Sequence, residues 1–163
     1  MFKRMVIFFI LLSSLAGCAT VPEKGPRFTG IAETRPGFSL LYIYRPYNYV
    51  GHIVWPEIFL NEVKTVGLVD ESYAFVYIRP GQYLIRTEKC HPLSGMGNIP
   101  GEIFIEPNKI YFLFFDRKYE LNPLSDMPIQ IYVRWTLVDK DEAVSEMRRL
   151  KYVKPYVETV GAD

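Results

Sequence analysis

Residues 73–88 read "YAFVYIRPGQYLIRTE". Two runs rich in aromatic and β-branched side chains, the types that suit a pleated surface, are interrupted by Arg79-Pro80-Gly81-Gln82. Proline presets φ at the first central position of a turn and glycine supplies a positive φ at the second, the demands of a type II turn. The stretch predicts two strands joined by that turn. The same alternation of strand and turn extends in both directions. Upstream lie "SLLYIYR" (39–45), apolar on both faces, then "EIFLNE" (57–62) and "KTVGLV" (64–69), with Asn61-Glu62 as a hairpin turn. Downstream, "GEIFIEPNKIYFLFFDRKY" (101–119) predicts two more strands around Pro107-Asn108.

"IQIYVRWTLV" (129–138) alternates, with Ile129, Ile131, Val133, Trp135 and Leu137 on one face and Gln130, Tyr132, Arg134 and Thr136 on the other. Short strands at regular spacing predict a mainly β fold, a single antiparallel β-sandwich of about seven to eight strands. The 12 Tyr and 11 Phe agree with that class. Residues 110–115, "IYFLFF", are apolar on both faces, so one core cannot satisfy them and a second layer must cover them. The candidate cover is a C-terminal α-helix from Asp139 to about Leu150 packed on the sheet. Asp139 stands at its N-cap and Glu142 at the third helical position, a capping-box arrangement, while Ala143, Met147 and Leu150 form one stripe.

The N-terminus has a different character. Lys3 and Arg4 precede the apolar run 5–12, too short to span a bilayer, and small residues follow. Those are the proportions of a secretory signal. Leu15-Ala16-Gly17-Cys18 resembles the lipobox of bacterial lipoproteins. The resemblance implies peptidase recognition through Leu15, Ala16 and Gly17, then a diacylglycerol on the Cys18 thiol and a further acyl chain on its amine. Several chains anchor firmly where one is marginal. Ala19 after the cysteine implies transfer to the outer membrane, with the protein facing the periplasm. The expected organisation is therefore 1–17 signal peptide, 18–36 lipidated cysteine and linker, 37–138 β-sandwich domain, and 139–163 helix and tail.

The body carries a second resemblance. "LLYIYRP" (40–46), "IFLNEVKTVGLV" (58–69), "IRPGQYLIR" (78–86) and "GEIFIEPNKIYFLFF" (101–115) are similar, in that order, to the bacterial lipoprotein family called domain of unknown function 2846. It implies an envelope β-domain without an established activity. The sequence departs from its pattern at Asn61-Glu62-Val63, where a hairpin glycine would be more usual.

Composition narrows the partners. With 19 Lys and Arg against 18 Asp and Glu, and no basic stripe, nucleic acid is not an expected partner, since that binding rests on clustered positive charge. With Cys18 acylated, Cys90 would be the remaining thiol. Cys90 and His91 are adjacent, and neighbours on an extended chain point to opposite sides, so no nucleophile–base pair is expected. The two histidines and Cys90 show no zinc-ligand spacing, and no metal or other cofactor is expected beyond the lipid on Cys18. Glu102 and Glu106 on one strand would stand about 13 Å apart, too far for a glycosidase pair. "SGMGNIPG" (94–101) precedes a strand and opens no helix, unlike a phosphate loop.

What remains is a surface. "RPYNYVGHIVWPE" (45–57) gathers Tyr47, Tyr49, His52 and Trp55, flat rings with polar tips that suit glycan or peptide faces. The competing reading has Trp55 and one tyrosine plugging the end of the sandwich. Three functions follow: a lipid-anchored, non-enzymatic interaction or assembly module that meets another envelope protein; a glycan- or peptidoglycan-binding module working through 45–57; or a hydrolase with an unrecognised cross-strand site. The first is the primary expectation.

Overall fold

The computed structural model describes residues 21–48, 55–89, 100–121 and 129–162. Among them the chain forms eleven strands and one helix: β1 (Lys24–Arg27), β2 (Ser39–Arg45), β3 (Pro56–Leu60), β4 (Val63–Gly67), β5 (Ser72–Ile78), β6 (Gly81–Lys89), β7 (Gly101–Ile105), β8 (Ile110–Leu121), β9 (Ile129–Leu137), α1 (Lys140–Met147), β10 (Lys151–Val153) and β11 (Thr159–Val160). They build two sheets. One runs β1-β10-β5-β2-β8-β9, with β11 also paired to β5; the other runs β4-β3-β6-β7.

The opening stretch behaves differently from its reading. β5 belongs to the first sheet and β6 to the second, so Arg79-Pro80 is a corner between sheets and not a hairpin turn. Gly81 already begins β6 with φ 149°, far from the value of about 80° that a type II turn places at its third residue. The segment around Pro107-Asn108 makes the same crossing, from β7 to β8, with Asn108 at φ 58°. Buried Ser39 pins that second corner: its hydroxyl donates to the Glu106 carbonyl at 2.6 Å and accepts from the Lys109 N–H at 3.0 Å. The hairpin at Asn61-Glu62 forms as expected between β3 and β4. Asn61 takes φ 53°, so asparagine fills the left-handed position where glycine is usual. Its side-chain oxygen accepts from the Leu84 N–H at 2.9 Å, tying the turn to β6.

The sheets share one core. Leu41, Ile43, Val76, Ile78, Leu113 and Phe115 from the first meet Ile58, Leu60, Val66, Tyr83, Ile85, Ile103 and Ile105 from the second. Strands β2 and β8 are two-faced, as their composition requires. Their other faces, through Leu40, Tyr42, Tyr44 and Phe112, join Phe28, Tyr73, Ala143, Met147 and Leu150 in a second cluster. The helix therefore covers the back of the larger sheet. Asp139 occupies its N-cap position, but the side chain makes no capping hydrogen bond, so no capping box forms.

Three further expectations are corrected. The pairing is mixed, not wholly antiparallel: β2 runs parallel to β8, and both β10 and β11 run parallel to β5. The C-terminal segment is no tail, since Val153 and Val160 are buried in the inter-sheet core. Nor does the linker reach residue 36, because β1 pairs with β10, Phe28 is buried, and the Ala32 N–H donates to the Tyr42 hydroxyl at 2.7 Å. In β9, Trp135 packs against the core beside Phe115, whereas Leu137 emerges at 52% exposure.

Candidate functional site

The alternation that sends Leu41 and Ile43 of β2 between the sheets sends Arg45 there too, at the strand's end. Its guanidinium is buried, 3.3 Å from Asp70 Oδ1. It also donates to the Leu68 carbonyl at 3.2 Å and lies 5.9 Å from the Phe115 ring centre. Asp70 accepts in addition from the Asn48 N–H at 3.3 Å. One buried charge pair thus joins the start of the 46–55 connection to the 68–71 connection. Pro46 then turns the chain out of the sheet, since it cannot donate a ladder hydrogen bond.

Tyr47 follows, 57% exposed. It stands on the rim of a groove of about 460 Å³ whose other walls include Pro46, Glu71, Ser145, Glu146 and Arg149. The helix supplies the far wall and the β4–β5 connection the near one. Glu71 reaches the groove from a left-handed backbone, φ 49°. Glu146 is held from beneath, where the Tyr44 hydroxyl donates to Oε2 at 2.7 Å. Burial, then this hydrogen bond, then the charges of Glu146 and Glu142 push the Tyr44 phenol far above its ordinary range. Tyr44 therefore remains a neutral donor under Glu146. The groove offers an aromatic face, two carboxylates, a hydroxyl and a guanidinium, a set suited to binding hydroxyl-rich or peptide-like ligands.

Of the residues predicted from sequence, Tyr47 and Trp55 are described, and they diverge. Trp55 is half-buried and packs against the inter-sheet core, as the plugging alternative requires, while Tyr47 faces the groove. Tyr49, His52, Cys90, His91 and the segment Leu15-Ala16-Gly17-Cys18 lie outside the described residues. Glu102 and Glu106 have separate partners, Gln82 at 3.2 Å and Lys109 at 2.7 Å. Sequence reasoning missed the groove's Glu71, Ser145, Glu146 and Arg149, because they come from two segments far apart in the chain. Arg45 carried a signal: a lone charge ending a run that is apolar on both faces must be paired if buried.

Residues 35–128 match the family described as "Protein of unknown function (DUF2846)". No curated protein and no solved structure matches the chain.

Proposed function

The chain belongs to the DUF2846 family, and from that premise we propose that it is a lipid-anchored bacterial envelope protein, a non-enzymatic interaction or assembly module. Its two sheets are read as a β-sandwich. The observation that carries the reading is a juxtaposition: Leu15-Ala16-Gly17-Cys18 stands directly before a body whose first strand starts at Lys24. A lipidated Cys18 would hold that body at the periplasmic face of the outer membrane on a tether of a few residues. The test is metabolic labelling with palmitate in cells. The wild-type protein should be labelled and sediment with membranes, and Cys18→Ala should be unlabelled. A wild-type protein that stays unlabelled and soluble would refute the reading.

The groove supports a second reading, binding of a glycan such as peptidoglycan, because exposed Tyr47 offers a stacking face beside hydrogen-bonding carboxylates. Sedimentation of the domain with purified cell wall tests it. Tyr47→Ala should abolish binding, and no binding by the intact domain removes this reading.

A further inference from the structure

We propose that the face formed by Val21, Pro22, Lys64 and Tyr156 lies against the lipid headgroups of the membrane that holds Cys18, an inference that rests on the anchoring reading above. Covalent reach decides which side of the body meets the membrane. Pro22 is already seated on the body: a Cβ placed on Gly67 would meet Pro22 Cγ at 3.0 Å and the Tyr156 hydroxyl at 2.8 Å. Three residues separate Cys18 from Pro22, and the four chain steps between them span at most about 14 Å in any conformation. The glycerol carried on the Cys18 thiol belongs at the boundary between hydrocarbon and headgroups, and that headgroup layer is itself about 5–7 Å thick. Pro22 can then stand no more than about 7–9 Å beyond the outer headgroup surface, and the side of the domain around it meets the membrane first.

The chemistry of that side fits. Val21 is 60% and Tyr156 50% exposed, and the Lys64 ammonium lies 4.8 Å from the Tyr156 ring centre. A phenol ring, an aliphatic side chain and a flexible ammonium are the types that settle at a headgroup layer. The nearby carboxylate is turned inward: Glu57, mostly buried, lies 3.4 Å from Lys64 Nζ and accepts from the Tyr156 hydroxyl at 3.1 Å. Close in sequence to Pro22 and Tyr156, Glu23, Lys24, Lys154 and Glu158 are all exposed, and Glu158 lies 3.9 Å from the Arg35 guanidinium.

The experiment uses full-length lipidated protein in vesicles of phosphatidylethanolamine and phosphatidylglycerol containing a headgroup-nitroxide lipid. In a Cys90→Ser background, an environment-sensitive fluorophore is placed through Tyr156→Cys, Val21→Cys or, as the distal position, Phe104→Cys. Phe104 is 66% exposed on β7, three strand spacings or about 14 Å across the smaller sheet from β4. Strong quenching at positions 156 and 21 with little at 104 is the expected result, and Val21→Cys carries the test if Tyr156→Cys fails to fold. Lipid on Cys18 is measured by mass in the same samples. Equal quenching at all three positions in acylated protein overturns the membrane face and leaves the anchor standing, whereas absence of acylation overturns both. Shielding of position 156 from an aqueous quencher in cells but not in vesicles would assign the face to a protein partner and overturn the proposal.

Discussion

The buried pair of Arg45 and Asp70 allows a sharp prediction. Their side chains are 2% and 9% exposed and 3.3 Å apart. Asp70→Ala removes the carboxylate that stands 3.3 Å from the buried Arg45 guanidinium and accepts from the Asn48 N–H. Breaking a buried pair from one side costs about 3–5 kcal/mol, whereas an exposed pair is worth about 0–1 kcal/mol. Burial selects the larger figure, a sizeable share of a domain's total stability of about 5–15 kcal/mol. In urea, with a slope of about 2 kcal/mol/M, the unfolding midpoint should fall by about 2 M. The double variant Arg45→Met with Asp70→Leu should recover most of the loss, since apolar replacement of a whole buried pair is often neutral. A cost below about 1 kcal/mol for Asp70→Ala, or a double variant less stable than the single, would refute the reasoning. The first result would mean that water reaches the guanidinium.

Other consequences follow from the same packing. Trp55→Ala should destabilise the fold by about 1–3 kcal/mol in thermal or urea unfolding, because its half-buried ring packs on the core, while Tyr47→Ala should change stability by no more than about 0.5 kcal/mol. Tyr44→Phe removes the hydrogen bond to Glu146 and should cost about 1 kcal/mol near neutral pH. Burial first of all holds Tyr42, Tyr44, Tyr73 and Tyr152 above the ordinary phenol value of 10.0. The unfolded chain therefore loses those protons first, and stability present below pH 10 should decline as the pH rises beyond it. Urea midpoints across that range, followed with tyrosinate absorbance, check the sign, and Tyr44→Phe should flatten the decline. Gly81→Ala should cost about 1–3 kcal/mol, since its φ of 149° disfavours a side chain and the new Cβ would stand 2.5 Å from that of Ala162. Ala162→Gly in the same chain should relieve the contact but not the backbone cost.

Local chemistry made the elements legible from the chain alone. Aromatic and β-branched runs became strands. The two-faced composition of 39–45 and 110–115 announced a layer behind the sheet, and the stripe through Ala143, Met147 and Leu150 identified the helix that supplies it. These properties are written in the residues themselves, as alternation and as the side chains available on each face. The short reach from Cys18 to the body depended on something else, the discovery that Lys24 already belongs to a strand.

Partnership was not legible. Arg79-Pro80-Gly81 can close a hairpin or turn a corner between sheets with the same residues. The choice fell to the burial of Tyr83 and Ile85 against the opposite sheet. The segment 151–160 is interrupted by Pro155 and keeps no sustained alternation, so it does not declare itself as strand, yet β5 offers an unpaired edge opposite β2 that both β10 and β11 complete. A residue's alternation says which side it faces, but hydrogen-bond edges and apolar faces are satisfied by whatever the rest of the chain brings to them. For that reason Tyr47, Glu71 and Glu146, separate in sequence, became a groove only after folding.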